Sequence, residues 1–322
     1  MTDVYVDHLV HAMGELKAHV TESGDAELLR SSSADLASAG FEWHHRCAPG
    51  TTAYDLAAAA VRALPEAVLR AGIDAIVYAT CLPGNGNVGD EERWRASGDV
   101  TYLMDFPASR LQADFGLGDA VVLGLTQQGC TTMLGALRVA RALLLTEPGW
   151  RRVLCVTADR FPAGSRYEHS YNLISDSAAA CLVGTAPSGF RLVASHHITN
   201  GGLHQAGDDE TLGSYFSYVT LLIGELLDRA GLTAGDIAWV VPQNTHRAAW
   251  QILPRLVGIA ADRVWQPSLP DNGHAISADN IVNLASLAAS GRAGRGDLVL
   301  LVVAGYGLNW QAVVLEAVEE RP

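Results

Sequence analysis

The stretch Gly124-Leu-Thr-Gln-Gln-Gly-Cys-Thr-Thr-Met-Leu-Gly-Ala-Leu137 runs from apolar residues through a short polar turn to Cys130, then into a segment that is apolar on nearly every side. The run before the turn, Ala120 to Leu125, reads as a buried strand. The segment after it, Thr132 to Leu145, reads as a helix, and a helix without a polar face belongs inside the core. Cys130 lies at the start of that helix, where unpaired backbone N–H groups and the positive end of the helix dipole favour thiolate over thiol. A thiolate there is equipped to attack a thioester. A cysteine in the same place also serves as a small packed hydrophobe, so this stretch alone leaves both roles open.

Outward from it, apolar β-branched runs alternate with helical patterns. Ala75 to Ala79, Val153 to Thr157 and Ala178 to Val183 read as strands, and the alanine-rich Thr52 to Ala71 reads as a helix. The second half repeats the order. A strand at Arg191 to Ser195 precedes a helix near Leu212 to Ala230 and a strand at Ile237 to Val241. Helices near Arg247 to Val257 and Ser277 to Ala289 follow, then strands at Leu298 to Val303 and Gln311 to Glu316. Two similar α/β halves result, 1–187 and 188–322, dividing near Pro187 to Gly189. The segment Pro83 to Met104 is rich in Gly, Asn and charge and is long for a structureless connection, which marks it as a binding loop or a surface insertion.

With 49% hydrophobic and 18% charged residues in 322, the chain has the apolar material for a large core. A formal charge of -13 argues against a nucleic-acid groove or an anionic membrane surface, which need clustered Lys and Arg. Met1 to Gly14 lacks the basic start and apolar run of a signal peptide, and no stretch stays apolar for a membrane-spanning length, so a cytoplasmic protein is expected. The five cysteines have neither disulfide nor zinc spacing, and Cys47, Cys81, Cys155 and Cys181 are expected only to pack. The histidines give no metal spacing, and the pairs His44-His45 and His196-His197 read as surface or loop residues.

Several stretches together resemble the ketoacyl synthase III family. Phe106-Pro-Ala-Ser-Arg-Leu-Gln-Ala-Asp-Phe-Gly-Leu117 is similar to the segment before the family's nucleophile strand, and Gln128-Gly-Cys-Thr-Thr-Met-Leu-Gly-Ala-Leu137 to its cysteine helix. Ile174-Ser-Asp-Ser-Ala-Ala-Ala180 resembles F-G-D-G-A-G-A, and Ala304-Gly-Tyr-Gly-Leu-Asn-Trp310 resembles the G-G-G-x-x-W loop. The resemblance implies a thiolase fold: duplicated α/β halves with mixed five-stranded sheets in a layered α-β-α-β-α arrangement. It also implies a homodimer, with the strand Ala120 to Leu125 near the dimer axis, and an oxyanion hole formed by the backbone N–H groups of Cys130 and Tyr306.

The resemblance breaks where a condensing member carries the histidine of P-H-Q-A-N and the asparagine of G-N-T-S, which hold the malonyl thioester and stabilise the enolate. Here the first motif reads Pro242-Gln-Asn-Thr-His246, which puts Gln243 at the histidine position. The second reads Asn272-Gly-His-Ala-Ile-Ser-Ala-Asp279, which puts His274 at the asparagine position. One imidazole is sufficient for acyl transfer, since it assists the thiolate of Cys130 and later deprotonates a hydroxyl, amine or thiol. Within one helix His274 and Asp279 would point about 140° apart, so their pairing requires His274 to lie on a turn before the helix, which Asn272-Gly273 supplies. A G-H-x-x-x-x-D motif also occurs in family relatives that transfer acyl groups to small molecules, and this resemblance favours Asp279 over Asp271 as the partner that orients the imidazole. His246 is the competing base, or a cap for the helix after it, and Gln243 and Asn244 are possible auxiliaries.

The expected activity is transfer of an acyl group from coenzyme A or an acyl carrier protein through Cys130 to a small-molecule acceptor in secondary metabolism, with no permanently bound cofactor and no metal. Arg46, Arg247 and Arg255 are candidates for meeting an acidic carrier protein. The alternatives are a divergent decarboxylating ketosynthase and a non-catalytic partner subunit.

Overall fold

The computed structural model describes residues 2–22, 29–169, 172–306 and 308–319. The first five long strands are β1 (Tyr5–Met13), β2 (Ala75–Ala79), β3 (Val121–Leu125), β4 (Arg152–Asp159) and β5 (Ser177–Gly184), and they pair in the order β3-β2-β4-β5-β1. The pairs β2–β3 and β2–β4 are parallel, and β4–β5 and β5–β1 antiparallel. The other strands of this sheet are β6 (Phe190–Thr199), β7 (Ile237–Pro242), β8 (Leu298–Gly305) and β9 (Asn309–Ala317), in the order β7-β8-β9-β6. Here β7–β8 is parallel, and β8–β9 and β9–β6 are antiparallel. Val264 makes a single parallel bridge to Val240 of β7 at the place that β3 holds beside β2. Both series therefore share one element order and one pattern of strand directions. The fifth strand of the second series is reduced to that bridge, and β1 and β6 join the two series through Tyr5–Arg191 and Val6–Phe190 into one nine-stranded hydrogen-bonded sheet.

Alternation along the strands builds the layers, because successive side chains of a strand point to opposite faces. Val153 and Cys155 of β4 face inward onto the helices α3 (Thr132–Thr146) and α6 (Asp279–Ala289). Leu154 and Val156 face outward onto α1 (Ala53–Arg62) and α2 (Pro107–Asp114). In the second series Leu301 and Val303 of β8 face the same inner helices, while Leu300 and Val302 face α4 (Asp208–Ala230) and α5 (Ala249–Leu256). The fold is thus a layered α-β-α-β-α arrangement of the thiolase type. Its middle layer is the pair α3 and α6, whose N-termini meet where Thr132 Oγ1 and Ser277 Oγ lie 2.7 Å apart.

Some elements differ from the sequence reading. Thr52 to Ala71 is two helices, Ala53–Arg62 and Glu66–Arg70, because Pro65 lacks the N–H that would continue the first. Pro83 to Met104 is not structureless: it carries 3-10 turns at Pro83–Gly86 and Val100–Leu103 around a helix at Glu91–Ser97. The strand β3 is an edge strand rather than a buried one, with Val121 48% exposed. No strand was expected at Tyr5–Met13, yet β1 is the central joint between the two series. No helix among the described residues is long and apolar enough to cross a membrane.

Candidate active site

The turn that presents Cys130 is built by close approach of two backbones. Gln127 and Gly129 have positive φ, and Gly129–Thr131 forms a 3-10 turn that feeds α3. A Cβ on Gly129 would lie 2.6 Å from the amide nitrogen of Tyr306, and one on Gly305 would lie 2.9 Å from the amide nitrogen of Cys130. Both positions therefore exclude any side chain, and the amides of Cys130 and Tyr306 become neighbours. Gly307, part of the same motif, lies outside the described residues.

His274 is fixed by the chain on both sides of it. Its N–H donates to Leu173 O at 2.7 Å, and its carbonyl accepts from Ser175 N–H at 2.9 Å. Gly273 before it has φ 56 and ψ -152, a conformation open essentially to glycine alone, and a Cβ there would lie 2.7 Å from Leu173 O. The short helix Leu269–Asn272 ends at this residue, and α6 begins only at Asp279. His274 thus lies on a turn ahead of the helix. Its Nδ1 is 2.5 Å from Asp279 Oδ2, and its Nε2 is 3.3 Å from Cys130 Sγ. Asp279 also accepts the N–H groups of Asn244 and Ala275, each at 2.7 Å, so its recorded partners are donors and it acts as a carboxylate acceptor. Asp271 instead reaches Lys17 at 3.1 Å on the surface.

The electrostatics of the trio favour a charged pair. A hydrogen bond from the Cys81 thiol, together with the charge and hydrogen bond of His274, holds the Cys130 thiol well below its ordinary range against the opposing effect of burial. Burial alone would lower the His274 imidazole, but the charges of Asp279 and Cys130 overcome it and push it up to about 10. Burial raises the Asp279 carboxyl, opposed by His274 and the two amides. The lowered thiol and the raised imidazole together favour a thiolate beside an imidazolium.

Cys130 and His274 open into a cavity of about 1160 Å³, lined mainly by apolar side chains including Phe161, Ile174, Phe216, Ile252 and Leu308. Gln127, Ile276 and Leu308 all line it and all have positive φ, backbone strain of about 1–3 kcal/mol per residue concentrated at one site. Gln243 lines the cavity, but its Oε1 accepts the N–H of Ala304 and its carbonyl accepts from Gln266 Nε2. The Asn244 amide is spent on Gly273 O and Ser268 Oγ. His246 lines the cavity too, while its Nδ1 accepts the N–H of Ala248 at 3.1 Å just before α5. Among the described lining residues the arginines are Arg30 and Arg166, not Arg46, Arg247 or Arg255.

Two residues at this site were read otherwise from the sequence. Cys81, expected only to pack, has its Sγ 3.9 Å from Cys130 Sγ and lines the cavity. His169, which the sequence reading did not single out, lines it as well and contributes to lowering the Cys130 thiol. A cysteine two residues after the strand Ala75–Ala79, in an α/β sheet whose ligands gather at the carboxyl ends of strands, was the available signal for Cys81. His169 sits on a two-residue ladder between Glu168–His169 and Asn172–Leu173, which has no periodicity to read.

Residues 126–201 match the family model of 3-oxoacyl-(acyl-carrier-protein) synthase III, and residues 227–317 match the model of its C-terminal part, together more than half of the chain. A beta-ketoacyl-(acyl-carrier-protein) synthase III of Roseobacter denitrificans is 29% identical over 308 residues, covering 87% of this chain and 88% of the relative. One from Rhodobacter capsulatus is 28% identical over 304 residues, covering 86% of this chain and 87% of the relative. Among solved structures, the ChlB3 acyltransferase superposes with a TM-score of 0.81 at 20% identity, covering 99% of each chain. The 3-oxoacyl-(acyl carrier protein) synthase III of Pseudomonas aeruginosa gives 0.79 at 19% identity, covering 99% of this chain and 100% of its own. At these identities the two structures speak to fold alone.

Proposed function

The chain belongs to the 3-oxoacyl-(acyl-carrier-protein) synthase III family, and from that premise we propose that it is an acyltransferase that moves an acyl group from a coenzyme A or carrier-protein thioester through Cys130 to a small-molecule acceptor, in secondary metabolism. The observation that carries the reading is the fate of the two positions at which a condensing relative is expected to hold malonyl thioester. Gln243 stands at the histidine position with its Oε1 bound to the Ala304 backbone, and the single imidazole at the other position is committed to Cys130 and Asp279.

In the first half-reaction the Cys130 thiolate attacks the thioester carbonyl, and the oxyanion faces the amides of Cys130 and Tyr306. The departing thiolate takes the proton from His274 Nε2. In the second half-reaction the neutral Nε2 accepts the proton of a hydroxyl, amine or thiol as that group attacks the acyl-enzyme. Cys130 then leaves as a thiolate, and the imidazolium re-forms beside it. Asp279 holds the ring with Nε2 toward the sulfur throughout and stabilises its charge.

The edge strand β3 supports a homodimer. Val121 and nearby Phe106 are 48% and 50% exposed, and an apolar edge with unpaired backbone groups is stabilised by pairing with the same strand of a second copy.

A second reading, decarboxylative condensation, is favoured by the names of the curated relatives. Carbon dioxide release from malonyl thioester separates the two. The acyltransferase reading predicts transfer from a non-malonyl donor to hydroxyl, amine or thiol acceptors with no carbon dioxide above the Cys130→Ala background. Stoichiometric carbon dioxide release with a ketoacyl product would replace it by condensation.

A further inference from the structure

Cys81 is held beside Cys130 by a device that the acyl-transfer chemistry does not require. Its N–H donates to both oxygens of the buried Asp159 carboxylate, at 2.9 and 3.1 Å. The same carboxylate accepts the Thr80 hydroxyl at 2.6 Å and the Leu82 N–H at 3.1 Å. This anchors the end of β2 and leaves the Cys81 thiol on the cavity wall, 3.9 Å from the Cys130 sulfur.

The molecule contains its own contrast. Cys155 and Cys181 stand directly opposite on β4 and β5, yet both are fully buried in the core, out of reach of a dissolved reagent. At Cys81 and Cys130 two sulfurs in contact share one open cavity, one of them beside the His274 imidazole. Nucleophilic sulfur, access and a neighbouring thiol are the three things that reversible cysteine oxidation needs.

We propose that Cys81 is the resolving thiol for Cys130, so that hydrogen peroxide converts the pair into a reversible disulfide that closes the site. In the first step the Cys130 thiolate attacks one peroxide oxygen: an S–O bond forms, the O–O bond breaks, and hydroxide leaves. The sulfur is oxidised by two electrons to a sulfenic acid and the peroxide is reduced. In the second step the Cys81 sulfur attacks the sulfenic sulfur: the S–S bond forms, the S–O bond breaks, and the departing hydroxide leaves as water with the Cys81 proton. Closure from 3.9 Å to the bonded distance of about 2.05 Å shortens one side-chain contact. Without Cys81 the sulfenic acid is left to advance to the sulfinic and sulfonic acids, which thiols do not reverse.

Disulfide formation needs the nucleophilic sulfur of Cys130 and not acyl transfer, so mass is the direct readout. The full chain is treated with a few-fold excess of hydrogen peroxide, and intact mass and non-reduced peptides are measured before and after dithiothreitol. The wild type should lose about 2 Da, yield a joined Cys81–Cys130 peptide, and recover its mass and its iodoacetamide labelling on reduction. Cys81→Ser and Cys81→Ala, each checked for folding by circular dichroism, should instead gain about 32 and 48 Da at Cys130 and stay unlabelled after reduction. A wild type that gains the same oxygens as these variants with no joined peptide, or that joins Cys155 to Cys181 instead, overturns the proposal.

Discussion

Between Cys130 and His274 a proton has changed owner. A free thiol near 9.0 and a free imidazole near 6.5 would keep it on sulfur at neutral pH, whereas here Cys130 is lowered and His274 raised to about 10, which puts it on nitrogen. Alkylation of Cys130 by iodoacetamide should therefore hold its rate to lower pH than a free thiol, which slows about tenfold per pH unit below its ordinary range. His274→Ala should return the profile toward that of a free thiol. The same pair sets a stability window. Just below 9.0 folded and unfolded chains both hold one proton on these two groups, and the pair's contribution is constant there. Below 6.5 the unfolded chain binds a second proton, and above 9.0 it has lost the one that the folded His274 keeps to about 10, so the contribution falls on both sides. The difference in unfolding temperature between wild type and Cys130→Ala, measured against pH, should trace that plateau. Asp279→Asn, which keeps the shape but not the charge, should slow deacylation by about 10²- to 10⁴-fold in single-turnover kinetics.

At the scale of elements, the site is two turns that lead into two buried helices. The glycine-bearing motifs before Cys130 and His274 were legible in the sequence, because only glycine tolerates the positive φ and close contacts at Gly129 and Gly273. Gly273→Ala should cost about 1–3 kcal/mol in chemical denaturation and slow iodoacetamide alkylation by moving His274 away from the sulfur. Normal stability with unchanged alkylation would show that the turn does not position the ring. Strands whose apolar runs are unbroken, such as Ala75–Ala79 and Leu298–Gly305, were readable from composition alone. The strand Tyr5–Met13 was not, because Asp7, His8 and His11 interrupt it and a register shift between Asp7 and Val10 destroys the period-two pattern. For Cys81 the local signal, a cysteine past a strand end, reaches only as far as the ligand side of the sheet, since its 3.9 Å contact with Cys130, 49 positions away, is carried by no local pattern.

Across the whole molecule, the two α/β series repeat one topology, and their middle helices bring Cys130 and His274, 144 positions apart, into one cavity. The same topology leaves β3 as a free edge, and Val121→Glu should convert a dimer in light scattering to a monomer, while an unchanged mass would place the interface elsewhere. Cys130 is the proposed carrier of the acyl group, and intact-mass spectrometry after incubation with a panel of acyl-coenzyme A and acyl-carrier-protein thioesters reads this directly. We expect a mass increase equal to one acyl group in the wild type, absent in Cys130→Ala and discharged by a nucleophilic acceptor in a step slowed in His274→Ala. No adduct from any donor, or an adduct that persists in Cys130→Ala, would contradict it.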